Sequence, residues 1–131
     1  MLIDWSSNFD AWLGALEAQA DAGRHAAQEC LDIVLAQLHY LEDLKEAPQA
    51  DTPTLRRVRQ SRAYPVWRVS HPYRDGVAIR LIVWFPPDEP PVVVLFANDK
   101  ASMGDVFYDS VGGRADQVIT AFLAEKGGKW S

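Results

Sequence analysis

VWRVSHPYRDGVAIRLIVWFPPDEPPVVVLFA, residues 66–97, decides the architecture, because three strand-like runs follow one another across two turn-rich connections. Residues 66–70 are rich in β-branched and aromatic side chains. His71, Pro72, Tyr73, Arg74, Asp75 and Gly76 then read as a turn, with Gly after Asp supplying the tight step. A second strand is predicted over 77–85. The prolines within 86–91 make a stiff connection poor in N–H donors that cannot continue a ladder. Residues 92–97 are continuously apolar, the pattern of a strand at the centre of a sheet covered by helices. Both connections are too short for the crossover that a parallel pair needs, so the middle strand is predicted to pair antiparallel with each neighbour.

Upstream the period changes from two to about 3.6. Ser6 or Ser7 is the predicted N-cap of a helix in which Phe9, Trp12, Leu13 and Leu16 recur at helical spacing, ending near Gly23. A second helix over about 24–45 carries Cys30, Leu31, Val34, Leu35, Leu38 and Leu41 as its apolar stripe and packs antiparallel, or nearly so, to the first. Residues 46–54, with Pro48 and Pro53, form a loop, and residues 2–5 read as a short edge strand. A polar loop over 98–104 leads to a closing helix over 111–126, containing Val118, Ile119, Phe122 and Leu123 and stopped by Gly127 and Gly128; 126–131 is predicted to be disordered. The order predicts one α+β domain over 1–131: an N-terminal helical hairpin packed on a small antiparallel β-sheet, with a C-terminal helix.

A chain of 131 residues with 48% hydrophobic residues supports one core rather than two. No apolar run approaches the roughly 18 residues that cross a bilayer, and no basic segment precedes an apolar one at the start, so the predicted compartment is the cytoplasm. A lone Cys30 forms no internal disulfide, which agrees with a reducing compartment. His25 and His39 lack a second His or Cys at ligand spacing, so no metal site is predicted.

The formal net charge of −5 is unevenly distributed. Residues 1–51 hold two cations against ten carboxylates, a net of −8; residues 52–80 hold seven arginines against Asp75, a net of +6; the rest carries −3. An arginine block without lysine suits bidentate recognition of phosphate or carboxylate. It equally suits a solvated face, or neutralisation of the acidic helices within the same molecule.

Three local patterns carry a family resemblance: Pro65 to Val69 with its aromatic-Arg step, Gly76 to Trp84 with Gly-x-x-x-Arg followed by an apolar run, and the apolar strand from Val92 that ends in Lys100 before Asp105, Val106, Phe107 and Tyr108. On these patterns the stretch 66–123, close to half the chain, resembles the RelE/ParE/HigB-like toxins of bacterial type II toxin-antitoxin pairs. The resemblance implies an endoribonuclease that cuts messenger RNA, often on the ribosome, silenced by a cognate antitoxin protein and needing no metal or other cofactor. Such cleavage requires a base for the 2′-hydroxyl, cations for the charge of the transition state and an acid for the departing 5′-oxygen. The resemblance assigns Arg80 to the scissile phosphate, Lys100 to charge stabilisation or acid catalysis, and Tyr108 to base catalysis or stacking. Arg57 and Arg59 match basic residues before the family's hairpin, and with Arg56, Arg62 and Arg68 they make the expected RNA-binding set. This chain departs from the family in its acidic total and its longer N-terminal helices.

Each assignment has a plainer counterpart. Arg80 is also the outward member of an alternating strand, Tyr108 a core aromatic, and Lys100 one half of an exposed pair with Asp99. His71, at a hairpin tip, is either a general acid near neutral pH or an inert turn residue. Two other functions share the fold: a ParE-like inhibitor that binds a protein such as DNA gyrase without chemistry, and an inactive adaptor whose arginines hold an acidic helix. RNA binding by an acidic chain requires that the arginines form a face of their own.

Overall fold

The computed structural model describes residues 1–59, 61, 63–70, 79–87, 91–99 and 106–125, the side chains of 99 and 106–110 excepted. Strand β1 (Ile3–Trp5) leads into helices α1 (Ser7–Asp21) and α2 (His25–Asp43). Strands β2 (Leu55–Arg57), β3 (Val66–Val69), β4 (Ile79–Trp84) and β5 (Val92–Asp99) follow, and helix α3 (Val106–Glu125) ends the described chain.

Ser6, rather than Ser7, caps α1. Its hydroxyl accepts the Phe9 N–H and donates to the Leu95 carbonyl of β5, so one buried side chain satisfies a helix end and ties it to the sheet. The helix stops where Gly23 takes φ 86°, with Arg24 N–H on the Gln19 carbonyl and Gly23 N–H on that of Ala20. Glycine reaches that left-handed conformation at little cost, which explains the predicted boundary. On α2 the inward stripe is Ala27, Ile33, Val34, Gln37, Leu38 and Leu41, while Leu35, predicted in the stripe, is exposed.

The sheet order is β1-β5-β4-β3-β2. As predicted, β4 pairs antiparallel with both β3 and β5. The sheet as a whole is mixed, not antiparallel: β1 lies parallel to β5, with Ile3 opposite Val92 and Trp5 opposite Val94. Turn lengths constrain only strands adjacent in the chain, and β1 takes a partner from the far end of the sequence. β2 was not foreseen either; it pairs antiparallel with β3, and the Thr52 hydroxyl and Asp51 carboxylate accept the N–H groups of Leu55 and Arg57 at its margin.

Helices cover both faces. Phe9, Leu13, Leu16, Val34, Leu38 and Leu41 of the helical hairpin pack against Trp67, Val69, Ile79, Leu81, Val83, Val92 and Val94. Val111, Ala115, Val118, Ile119 and Phe122 of α3 pack against Val66, Ile82, Trp84, Val93, Leu95 and Phe96 on the other side. A register shift in the β4–β5 pairing leaves Leu95 without a partner opposite it and lets Leu95 and Phe96 both enter the α3 side. α3 begins at Val106 rather than 111 and runs through Gly112 and Gly113, because burial of its apolar stripe outweighs the local cost of glycine. β5 likewise continues through Asn98 and Asp99, where a loop was predicted. The predicted turn at 71–76, the remainder of the loop to Gly104 and the tail at 126–131 lie outside the described residues. No described helix is long and apolar enough to cross a membrane.

Gln37, fully buried on α2, ties that helix to the backbone at the start of β4. Its Nε2 donates to the Ile79 carbonyl at 3.0 Å and its Oε1 accepts the Leu81 N–H at 3.1 Å. Gln37→Leu keeps the volume but strands both backbone groups, and is expected to lower the unfolding free energy by about 2–4 kcal/mol in a urea titration.

Candidate nucleic-acid interface

Alternation along the strands sorts the arginine block by face. Ile79 and Leu81 point to the helical hairpin, so Arg80 and Ile82 point to the α3 side; Trp67 and Val69 point to the hairpin, so Arg68 points to α3. The register sets Arg56 opposite Arg68, Arg68 opposite Ile82, Ile82 opposite Phe96 and Arg80 opposite Asn98. Arg114 of α3 completes the group, its guanidinium carbon 4.1 Å from the centre of the Phe96 ring. Arg56, Arg68, Arg80 and Arg114, from three strands and a helix, therefore share one side. Arg56 and Arg114 are exposed, and Arg68 and Arg80 are half-buried.

Arg57 and Arg59 fall elsewhere. Arg57 is one residue out of phase with Arg56 and faces the other way, opposite Trp67. With Arg59, Pro65, Phe85 and Pro86 it lines a cleft of about 580 Å³ at the end of the hairpin layer. Arg59 pairs with Asp51 at 3.4 Å near the surface, and the buried Nε of Arg57 has no hydrogen-bond partner. Of the five arginines predicted as one RNA-binding set, Arg56 and Arg68 lie on one surface and Arg57 and Arg59 on another, and Arg62 lies outside the described residues. Lys100 and His71 are also outside them. Tyr108 lies in the first turn of α3, its side chain not among those described.

Charge follows the same division. Asp10, Glu17, Asp21, Asp32, Glu42 and Asp43 are exposed on α1 and α2, which cover the opposite face of the sheet from Arg56, Arg68, Arg80 and Arg114. The α3 side is not purely basic, since Asp116 accepts the Ser61 hydroxyl there at 2.6 Å. Among the described residues no three His, Cys, Asp or Glu side chains converge as metal ligands.

The residue that sequence reasoning missed is Asn98. It is 2% exposed, and neither its Oδ1 nor its Nδ2 has a hydrogen-bond partner. Continuing the β3–β4 register by one residue places Ser70 level with Arg80, so hydroxyl, guanidinium and amide stand in one row across three strands. The Ser70 hydroxyl is buried without a partner as well. The signal was spacing: Asn98 is two residues beyond Phe96, hence on the same face, provided the strand extends past Ala97. The row offers one charge and several hydrogen-bonding groups to an anionic, hydroxyl-bearing ligand.

Compared with family models, curated proteins and solved structures, the chain matches none.

A buried amide without partners costs stability that an apolar side chain of similar size does not. Asn98→Leu is therefore expected to leave the unfolding free energy unchanged or to raise it by up to about 2 kcal/mol, read by urea denaturation; a marked loss would show that the amide supports the fold.

Proposed function

We propose that this chain is a metal-independent endoribonuclease of the toxin kind, acting on messenger RNA and silenced by a cognate antitoxin. The observation that carries the reading is the placement of Arg80 beside Arg68 on a sheet face turned away from the acidic hairpin. A polyanion on that side lies away from the carboxylates of α1 and α2, with Asp116 the acidic neighbour described there. Arg80 holds the scissile phosphate and stabilises the charge that grows on its oxygens as the 2′-oxygen attacks phosphorus and the P–O5′ bond breaks. The products are a 2′,3′-cyclic phosphate and a free 5′-hydroxyl. The 2′-hydroxyl loses a proton to a base and the leaving oxygen gains one from an acid; Lys100 and Tyr108 enter those roles on the resemblance alone.

A second reading, inhibition by binding a protein target, is favoured by the cleft around Arg57, Trp67 and Phe85, which joins a cation to apolar walls as a peptide site does. The two readings separate in one experiment. With messenger RNA, free or on ribosomes, the wild type is expected to cleave, Arg80→Ala to cleave on the order of 10²-fold more slowly, and Arg59→Ala to stay within about twofold of wild type. Growth arrest with RNA intact in both settings favours the protein-binding reading instead.

A further inference from the structure

Of the buried polar groups described on the arginine-bearing side, Asn98 is the one whose side chain leaves both its donor and its acceptor atom without a partner. Its amide carries two donors and an acceptor, is 2% exposed, and pairs with nothing. Buried amides in folded proteins are nearly always hydrogen-bonded, and an exception beside a functional cation points to a partner supplied from outside. Arg80 is its directly opposite neighbour and is half-buried, so the row reaches solvent through that side chain.

We infer that Asn98 is the positioning residue by which this chain distinguishes RNA from DNA, its amide pairing with the ribose 2′-hydroxyl next to the phosphate held by Arg80. The inference rests on the RNA reading above. Two features select a hydroxyl over a base edge. Opposed residues on adjacent strands have Cβ atoms only about 5 Å apart, so what Asn98 touches must lie close to what Arg80 touches. In a ribonucleotide the 2′-hydroxyl and the 3′-phosphate sit on neighbouring carbons, whereas the base edge is farther away. A hydroxyl also both donates and accepts, so it pairs with the amide whichever way the side-chain oxygen and nitrogen are turned. The unpartnered Ser70 hydroxyl, on the other side of Arg80, extends the same polar row towards the adjoining sugar-phosphate unit.

The test compares two oligomers of one sequence by fluorescence anisotropy. One is DNA; the other carries 2′-amino groups, which keep a donor and an acceptor at that position and resist cleavage. Wild type is expected to bind the 2′-amino oligomer about tenfold more tightly, the worth of one good hydrogen bond made in a buried site. Asn98→Ala and the near-isosteric Asn98→Leu should lose that preference to within about twofold, while Arg80→Ala weakens both oligomers in parallel. Folded Asn98 variants that keep the preference overturn the proposal, and so does a wild type that cleaves RNA yet binds both oligomers alike. A wild type that binds neither oligomer and cleaves no RNA overturns the RNA reading itself, and this inference with it.

Discussion

Strands β4 and β5 are apolar on both sides, and most of the architecture follows from covering them twice. Ile79, Leu81, Val83, Val92 and Val94 demand one apolar layer, and Ile82, Trp84, Val93, Leu95 and Phe96 demand another. The helical hairpin meets the first demand and α3 the second. The irregular register at Leu95 serves the same end, since it brings two consecutive large side chains to the α3 layer. So does the passage of α3 through Gly112 and Gly113, where helix propensity is poor but Val111 and Ala115 must be buried. Gln37 is the polar complement of this constraint: in the hairpin layer its amide answers the Ile79 carbonyl and the Leu81 N–H of β4.

Against so apolar a sheet, the polar side chains on its α3 face stand out as departures. Arg68, Arg80 and Asn98 occupy positions where Val or Ile would pack, and Asn98 carries the desolvation cost of an amide with no partner. Natural proteins concentrate such local inconsistencies where function needs them. Arg80 and Asn98 lie towards one end of the central strands, and Arg68 and Arg80 are half-buried while Asn98 is buried.

The sheet also separates the chain's charges, which is what the proposed anionic ligand requires of an acidic chain. The carboxylates of α1 and α2 lie a helical layer away from one sheet face, and Arg56, Arg68, Arg80 and Arg114 lie on the other. Solvent ions screen exposed charges over about 8 Å at physiological ionic strength, so carboxylates exposed on the far surface act more weakly than the nearby arginines. A ligand at the arginines therefore experiences chiefly the local charge. The total of −5 describes the molecule at long range and says little about either face.

The sequence by itself determined whatever depends on neighbours in the chain. Helical spacing of Phe9, Leu13 and Leu16 marked α1, the glycine at 23 marked its end, and the short connections made β3, β4 and β5 an antiparallel meander. Those features are set by backbone period and loop length, which a sequence records directly. Tertiary structure alone decided the parallel pairing of β1 with β5, the existence of β2 and the early start of α3, because each depends on a surface assembled from distant segments. It also decided the site. Arg56 and Arg57 are adjacent in sequence yet serve opposite faces, since a strand turns successive side chains to opposite sides. Asn98 looked like the first residue of a loop and became the neighbour of Arg80 because β5 continues as far as the pairing with β4 holds it.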